Sequence, residues 1–220
     1  MLTTHDAWQV RATICELLSI SFRYPNIELA EAVTSKQWRD AALEITDALN
    51  LNWQYENIIE NDAEVFLHTL RVEATRMFIG LPVIVSPYEG IWRAKDDGVQ
   101  GLLFVNPHSM DVERFCKACG LGQPEGTNEP LDHIASELEL LEYLALLCTA
   151  EDTQDANEKS SENSQADFPG GCACAAYKQF MEEHALTWMP RFSDKVCEQT
   201  RIPFYRNAAS LLKCTLGALY

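Results

Sequence analysis

The sequence is short of glycine and of basic residues, and it holds no long apolar run. Glycines number 10 in 220 residues. None of them builds a phosphate-cradling loop, a dinucleotide fingerprint or a Gly-x-Ser-x-Gly elbow. The usual sequence signatures of nucleotide-dependent and hydrolytic enzymes are therefore missing, and the chain reads as a non-enzyme that needs no cofactor. Lys plus Arg total 17 against 33 Asp plus Glu, a formal charge of −16. Such a surface repels nucleic-acid phosphates and anionic lipid heads, which argues against nucleic acid as a partner. No apolar stretch approaches the roughly 20 residues needed to cross a bilayer, so stable membrane insertion is not expected. The opening MLTTHDAWQVRATICELLSISFRYP has no basic stretch ahead of an apolar core and no small-residue cleavage site. These features predict a soluble, cytoplasmic protein.

What is present is enough for a core. Hydrophobic residues make up 47% and charged residues 23%, an ordinary globular balance. The acid surplus serves solubility, and it also favours cationic partners such as basic peptides. There are eight cysteines. Cys15, Cys148, Cys197 and Cys214 lie in apolar, helix-like segments, where a free thiol packs as a small hydrophobe. Without an export signal, a disulfide framework is not expected.

Helical periodicity runs along most of the chain. Thr4 to Phe22 places Ala7, Val10, Ile14, Leu17 and Leu18 at helical spacing, and Tyr24-Pro25 stops it. Amphipathic stretches follow over Ile27–Leu49 and Asp62–Ile79, the second closed by Gly80 and Pro82. Leu81 to Gly98 reads as a loop, rich in proline, glycine and aromatic residues. A helix around Ser109–Cys119 precedes GLGQPEGTNEP, residues 120–130, which reads as a hinge. Leu131, Ile134, Leu138, Leu141, Ala145 and Cys148 then mark one apolar helix stripe. Pro130 suits its first position, and Asn128 or Glu129 can cap it. Glu151 to Asp167 is acidic and of low complexity, and it reads as a disordered loop. Two helices follow, the first broken near Trp188-Met189-Pro190. The predicted architecture is all-α: an N-terminal helical subdomain over 1–119 with an aromatic loop at 81–98, a hinge at 120–130, and a C-terminal helical subdomain over 131–220.

Three constellations can carry chemistry. Cys116-x-x-Cys119, with Cys172-x-Cys174, can supply a redox pair or four zinc thiolates. The plainer reading is core cysteines on one helical face. Glu129, His133 and Glu137 are spaced by four, so on a helix they share a face. A carboxylate beside His133 raises its pKa and makes a site for a basic group. The plainer reading is a helix cap and a surface ion pair. Tyr88, Glu89 and Trp92 put two aromatics and a carboxylate together, which suits a guanidinium. The plainer reading is a loop pinned to the core by its rings.

Taken in order, these segments resemble the TorD/DmsD family of redox-enzyme maturation chaperones. The resembling stretches are Arg76-Met77-Phe78-Ile79-Gly80, Ser86-Pro87-Tyr88-Glu89-Gly90-Ile91-Trp92, Glu129-Pro130-Leu131-Asp132-His133, and His184-Ala185-Leu186-Thr187-Trp188-Met189-Pro190-Arg191-Phe192. Phe204-Tyr205 before an apolar helix also matches. The resemblance implies an all-helical chaperone that binds the twin-arginine signal peptide and the apo form of a molybdenum-cofactor oxidoreductase, of the dimethyl sulfoxide or trimethylamine N-oxide reductase type. It implies proofreading before export, weak guanine-nucleotide affinity, and a monomer or a domain-swapped dimer. Carried over by motif, the peptide site uses Tyr88, Trp92, Asp132 and His133, with Glu89 and Glu129 nearby. Gly90 stands where the family has serine, a change expected to loosen the loop. The alternative is a thiol- or zinc-dependent protein built on Cys116, Cys119, Cys172 and Cys174.

Overall fold

Helices start where a side chain can accept the free N–H groups of a first turn. The computed structural model describes residues 4–101, 106–123, 130–154 and 168–220. Among them the chain is helical with no strand, as the periodicity predicts. Helix α1 spans Thr4–Phe22, α2 Ile27–Thr34, α3 Gln37–Ala48, α4 Ala63–Ala74, α5 Glu89–Asp96 and α6 Pro107–Ala118. Helix α7 spans Ile134–Gln154, α8 Ala173–Phe180, α9 Leu186–Gln199 and α10 Pro203–Leu219. Asn26 Oδ1 accepts from the Leu29 N–H at 3.0 Å, and Asp62 Oδ1 from the N–H groups of Glu64 and Val65 at 2.9 and 3.1 Å. Asn106 does the same for His108 at 2.9 Å, with Pro107 in the first helical position. No described helix is long and apolar enough to cross a membrane.

Several expectations change in detail. The stretch 27–49 is two helices, because the chain turns at Lys36, whose φ of 73° is left-handed. The segment 81–98 is not a loop throughout, since its second half is α5. Glu89 and Arg93 pair at 2.9 Å across one helical turn. Gly98, at φ 68°, lets its N–H reach the Lys95 carbonyl and the Val99 N–H reach that of Ala94, which closes the helix. Helix α7 starts at Ile134 instead of Pro130. Residues 151–154 of the acidic stretch extend α7, and 155–167 lie outside the described residues, as does 124–129 of the expected hinge. The break expected near Pro190 lies earlier, in a π-helical turn over Met181–Ala185. The chain continues as α9 from Leu186, and Pro190 lies inside that helix.

By contact the residues group into two units. The first comprises Met1–Glu16 and Tyr88–Thr187, the second Leu17–Pro87 and Trp188–Tyr220. In the first unit, Ile134, Leu138, Leu141, Ala145 and Cys148 of the predicted stripe are fully buried, while Leu131 precedes α7 and is half-buried. Tyr177 packs edge-on against Trp8 at 5.1 Å, and Phe180 against Phe115 at 5.1 Å. A disulfide joins Cys148 of α7 to Cys174 of α8, with Cα atoms 5.5 Å apart. This corrects the expectation of free thiols. The two cysteines are 26 residues apart in sequence, and only the packing of α7 beside α8 brings them together.

In the second unit, Trp38 is buried against Phe204 and Trp53, and its indole N–H donates to Ser21 Oγ at 2.9 Å. The Arg76-Met77-Phe78-Ile79-Gly80 stretch has a structural task here. Arg76 grips both oxygens of Glu73 at 2.8 Å and donates to the Gln199 carbonyl at 2.7 Å. Glu73 also accepts from the Arg201 N–H at 2.6 Å and the Thr200 hydroxyl at 3.2 Å. Burial pushes the Glu73 carboxyl up, but these donors outweigh it and hold the pKa below its ordinary value.

Replacing Arg76 with Met strands a buried carboxylate. The expected cost is about 2–4 kcal/mol in urea unfolding at pH 7. A lowered carboxyl stabilises above its unfolded pKa and loses that share as pH falls. The gap between wild type and Arg76→Met therefore narrows below about pH 4.5. A gap that stayed constant down to pH 3.5 would show that the cost does not come from the charge pairing of Glu73 with Arg76.

Candidate functional site

Two of the motif segments meet in the first unit. The Glu89 N–H donates to the Asp132 carbonyl at 2.9 Å, and Tyr88 and His133 form an isolated antiparallel bridge. Their rings pack edge to face with centroids 5.3 Å apart. Asp132 is buried. Its Oδ2 accepts from the Gly90 N–H at 2.9 Å and from the Ser109 hydroxyl. Asn106 closes the same knot, its side-chain amide donating to the Gly90 carbonyl at 2.7 Å.

Gly90 therefore tightens the loop, against expectation. A Cβ built there would meet Ser109 Oγ at 2.3 Å and Asp132 Oδ2 at 2.9 Å. The absence of a side chain is what lets Ser109 and the backbone reach one carboxylate together.

Glu89 is fully buried and is already met by groups of this chain. Arg93 Nη1 donates to its Oε1 at 2.9 Å, and His184 Nδ1 lies 3.0 Å from Oε2 and 3.2 Å from Oε1. Arg93 Nη1 also donates to the Glu183 carbonyl at 3.0 Å and to Thr187 Oγ1 at 2.9 Å. The His184 ring, 2% exposed, stacks on Phe180 at 4.7 Å. The π-helical turn is what presents His184 and its neighbours to α5; such turns often accompany function. A guanidinium does sit on Glu89, as its sequence setting implies, but it belongs to Arg93. Likewise the Trp92 ring carries the Lys95 ammonium at 5.2 Å. Tyr88, Trp92 and His133 are half-buried, so each has an edge toward solvent.

His133 differs from the expected charged member of a helical face. It stands just ahead of α7 and caps it, its Nδ1 accepting from the Ala135 N–H at 3.1 Å. An acceptor nitrogen carries no proton, so the capping ring is neutral. Burial lowers the His133 pKa to about 4, outweighing the upward pull of Glu139. Glu137 lies one turn on, fully buried. Glu129 lies outside the described residues. Asp132 is shifted upward, by burial first and by the nearby Glu89 charge, against the donors Ser109 and Gly90. Its Oδ1 has no hydrogen-bond partner among the described residues.

Arg93, Ser109 and His184 were not singled out as site residues from sequence. The four-residue spacing of Glu89 and Arg93 was the available signal for one of them. The four cysteines of the alternative reading do not converge. Cys174 is bonded to Cys148, and Cys116 and Cys119 are buried. Burial pushes their thiols up to about 12 and about 11, the opposite of a reactive pair. Among the described residues no group of three or more His, Cys, Asp or Glu side chains is placed to hold a metal ion.

Comparison with known proteins gives a consistent pattern. The model of a family described as nitrate reductase delta subunit matches residues 31–194. The chain is 31% identical over 125 residues to the chaperone protein TorD of Vibrio atlanticus, covering 56% of this chain and 52% of that one. It is 25% identical over 170 residues to TorD of Aliivibrio fischeri, covering 77% and 70%. A Vibrio cholerae TorD is 30% identical over 112 residues, covering 51% and 44%. The match thus spans about half the length of the first and third of these relatives.

Two outcomes follow from the geometry. Adding a methyl group at Gly90 (Gly90→Ala) should cost about 1–3 kcal/mol of stability, and Ser109→Ala should relieve part of that loss in the double variant. Full additivity would show that the two positions do not share space. A histidine with a lowered pKa stabilises fully above its unfolded value of 6.5 and loses that share as pH falls toward about 4. Asp132, shifted upward, acts in the opposite sense, favouring the fold at low pH. Between pH 7 and 4.5, wild type should therefore lose about 1–2 kcal/mol more in urea unfolding than His133→Gln, which keeps Asp132. Equal losses would place the His133 ring in water.

Proposed function

This chain belongs to the nitrate reductase delta subunit family, as a member of its TorD type, and from that premise we propose that it is a chaperone for a molybdoenzyme precursor. It binds the twin-arginine signal peptide and the apo form of a DMSO- or TMAO-reductase-type enzyme in the cytoplasm, and it delays export until the cofactor is in place. It forms no covalent bond with its client. Weak guanine-nucleotide affinity, and a monomer that can exchange domains with a second copy, belong to the same proposal.

One observation supports the reading most. Residues 88–90 and 132–133, remote in sequence, are knotted together, so that Tyr88 and His133 pack edge to face beside the buried Asp132, and Trp92, on the same helix as Glu89, is half-buried as they are. The buried carboxylate of Glu89 fixes that arrangement. An arriving arginine replaces Lys95 over the Trp92 ring, since a guanidinium stacks better than an ammonium. It also offers donors to Asp132 Oδ1. An opposite charge at hydrogen-bond distance lowers a raised carboxyl pKa, so a bound cation favours the ionised form of Asp132. The formal charge of −16 speeds the approach of a basic peptide at low salt.

Calorimetric titration with a synthetic twin-arginine signal peptide tests this. Binding is expected at micromolar affinity or tighter, weaker in high salt, and weaker by about tenfold when Arg-Arg becomes Lys-Lys. Lys95→Ala should tighten binding about two- to threefold by clearing the Trp92 face. Asp132→Asn should weaken binding while leaving the far-ultraviolet circular dichroism unchanged. No binding to the peptide or to the full precursor would sink the proposal. Tight binding that is indifferent to Asp132 and Trp92 would move the site elsewhere on the chain.

A further inference from the structure

Cys148, Cys172 and Cys174 gather at one place in the first unit, and the chaperone reading uses none of them. Cys148, on α7, is fully buried and bonded to Cys174 at the second position of α8. Cys172 is free and exposed. It is also held in place: it caps α8, its Sγ accepting from the Ala175 N–H at 3.4 Å. The chain enters this cap through Gly170 and Gly171, both at positive φ of 77° and 89°. A Cβ on Gly170 would meet the Ala175 methyl at 2.7 Å, so the approach to Cys172 is built for glycine. Ala173, between the two cysteines, is helical. A helical residue in the middle brings the flanking Cα atoms within the roughly 4.4–6.8 Å that a disulfide spans. By Cα separation Cys172 is thus within reach of Cys174, and the bond forms when the Cys172 side chain swings off its cap on Ala175.

We propose that these three cysteines form a thiol–disulfide exchange site, with exposed Cys172 as its entry nucleophile and low-molecular-weight thiols and disulfides as its co-reactants. The thiolate of Cys172 attacks the Sγ of Cys174. The Cys172–Cys174 bond forms, the Cys148–Cys174 bond breaks, and Cys148 leaves as a thiolate that takes up the proton Cys172 has lost. No net electrons move in that step. A first small thiol then attacks Cys172, freeing the Cys174 thiol and leaving a mixed disulfide on Cys172. A second attacks the mixed disulfide and departs as the small disulfide, leaving three protein thiols. Buried Cys148 never needs to meet the external thiol. The other five cysteines differ in exposure: Cys15, Cys116 and Cys119 are buried, and Cys197 and Cys214 are half-buried. Nothing in this inference depends on signal-peptide binding.

The test follows each sulfur by mass. The full chain is equilibrated with oxidised glutathione and desalted. It is then exposed to reduced glutathione, quenched in acid at intervals, alkylated and mapped. Before reduction, the Cys148–Cys174 link should be present, with Cys172 either alkylated or carrying glutathione. On reduction, a Cys172–Cys174 link should appear transiently as Cys148 becomes alkylatable. In Cys172→Ser and Cys172→Ala, Cys148 should be released about tenfold more slowly or less, because the intramolecular nucleophile is gone. Release at the wild-type rate in both variants would overturn the proposal. So would finding Cys148 and Cys174 both alkylated after the oxidising step. The transient link in wild type is read without any variant, so a poorly folded variant leaves the test intact.

Discussion

A carboxylate taken out of water has to be met by donors or give up its charge. Glu89 is fully buried, and much of the first unit is arranged to meet it. Arg93 reaches it because it lies four residues on, which requires the backbone to be helical from Glu89 onward. His184 reaches it from ninety-five residues away, which requires the turn between α8 and α9 to widen and present an imidazole. Arg93 is in turn fixed by the Glu183 carbonyl and the Thr187 hydroxyl. The aromatic residues on either side of Glu89 inherit this order. Tyr88 is one residue away and Trp92 is on the same short helix, so neither can turn without disturbing the buried charge.

The motif residues therefore divide their work. Glu89 and Asp132 are buried and engaged with their own chain, while Tyr88, Trp92 and His133 keep an edge toward solvent. A reading of the motif as a row of peptide contacts would give all five the same task. Their surroundings differ. His133 enters the site as a neutral ring that caps a helix and packs on Tyr88, so it brings shape and an aromatic edge instead of charge. Asp132 is the acid in the knot with an oxygen still to be satisfied among the described residues, and its raised pKa stores the desolvation that a bound cation would offset.

What could be read from the chain beforehand was whatever its local period encodes. The α1 boundaries and the buried stripe of α7 follow from apolar residues three and four apart. Asp62 is followed by a helix because its side chain meets two amides within three residues. The loop reading of 81–98 failed in its second half because α5 has only eight residues and sits between prolines and glycines. What holds it is the buried pairing of Glu89, and half of that pairing comes from His184. The start of α7 was misplaced for a related reason: Asp132 and His133 bond backward to residues 88–90, so the helix waits for Ile134. The Cys148–Cys174 bond likewise depends on helix packing that no local spacing reports.

Position 90 shows why a motif letter is a weaker guide than the set of donors around an acceptor. The resembling family has serine there, and this chain has glycine. Yet the Asp132 carboxylate still receives one backbone N–H and one hydroxyl, the latter from Ser109 on α6. The space a serine side chain would need at position 90 is the space that hydroxyl occupies. In this chain the hydroxyl at Asp132 comes from α6, and Asn106 binds the Gly90 carbonyl to hold α5 and α6 in register. A carboxylate constrains the number and direction of its donors far more than the residues that provide them. Glycine at position 90 thus leaves room for the Ser109 hydroxyl and makes the loop depend on it.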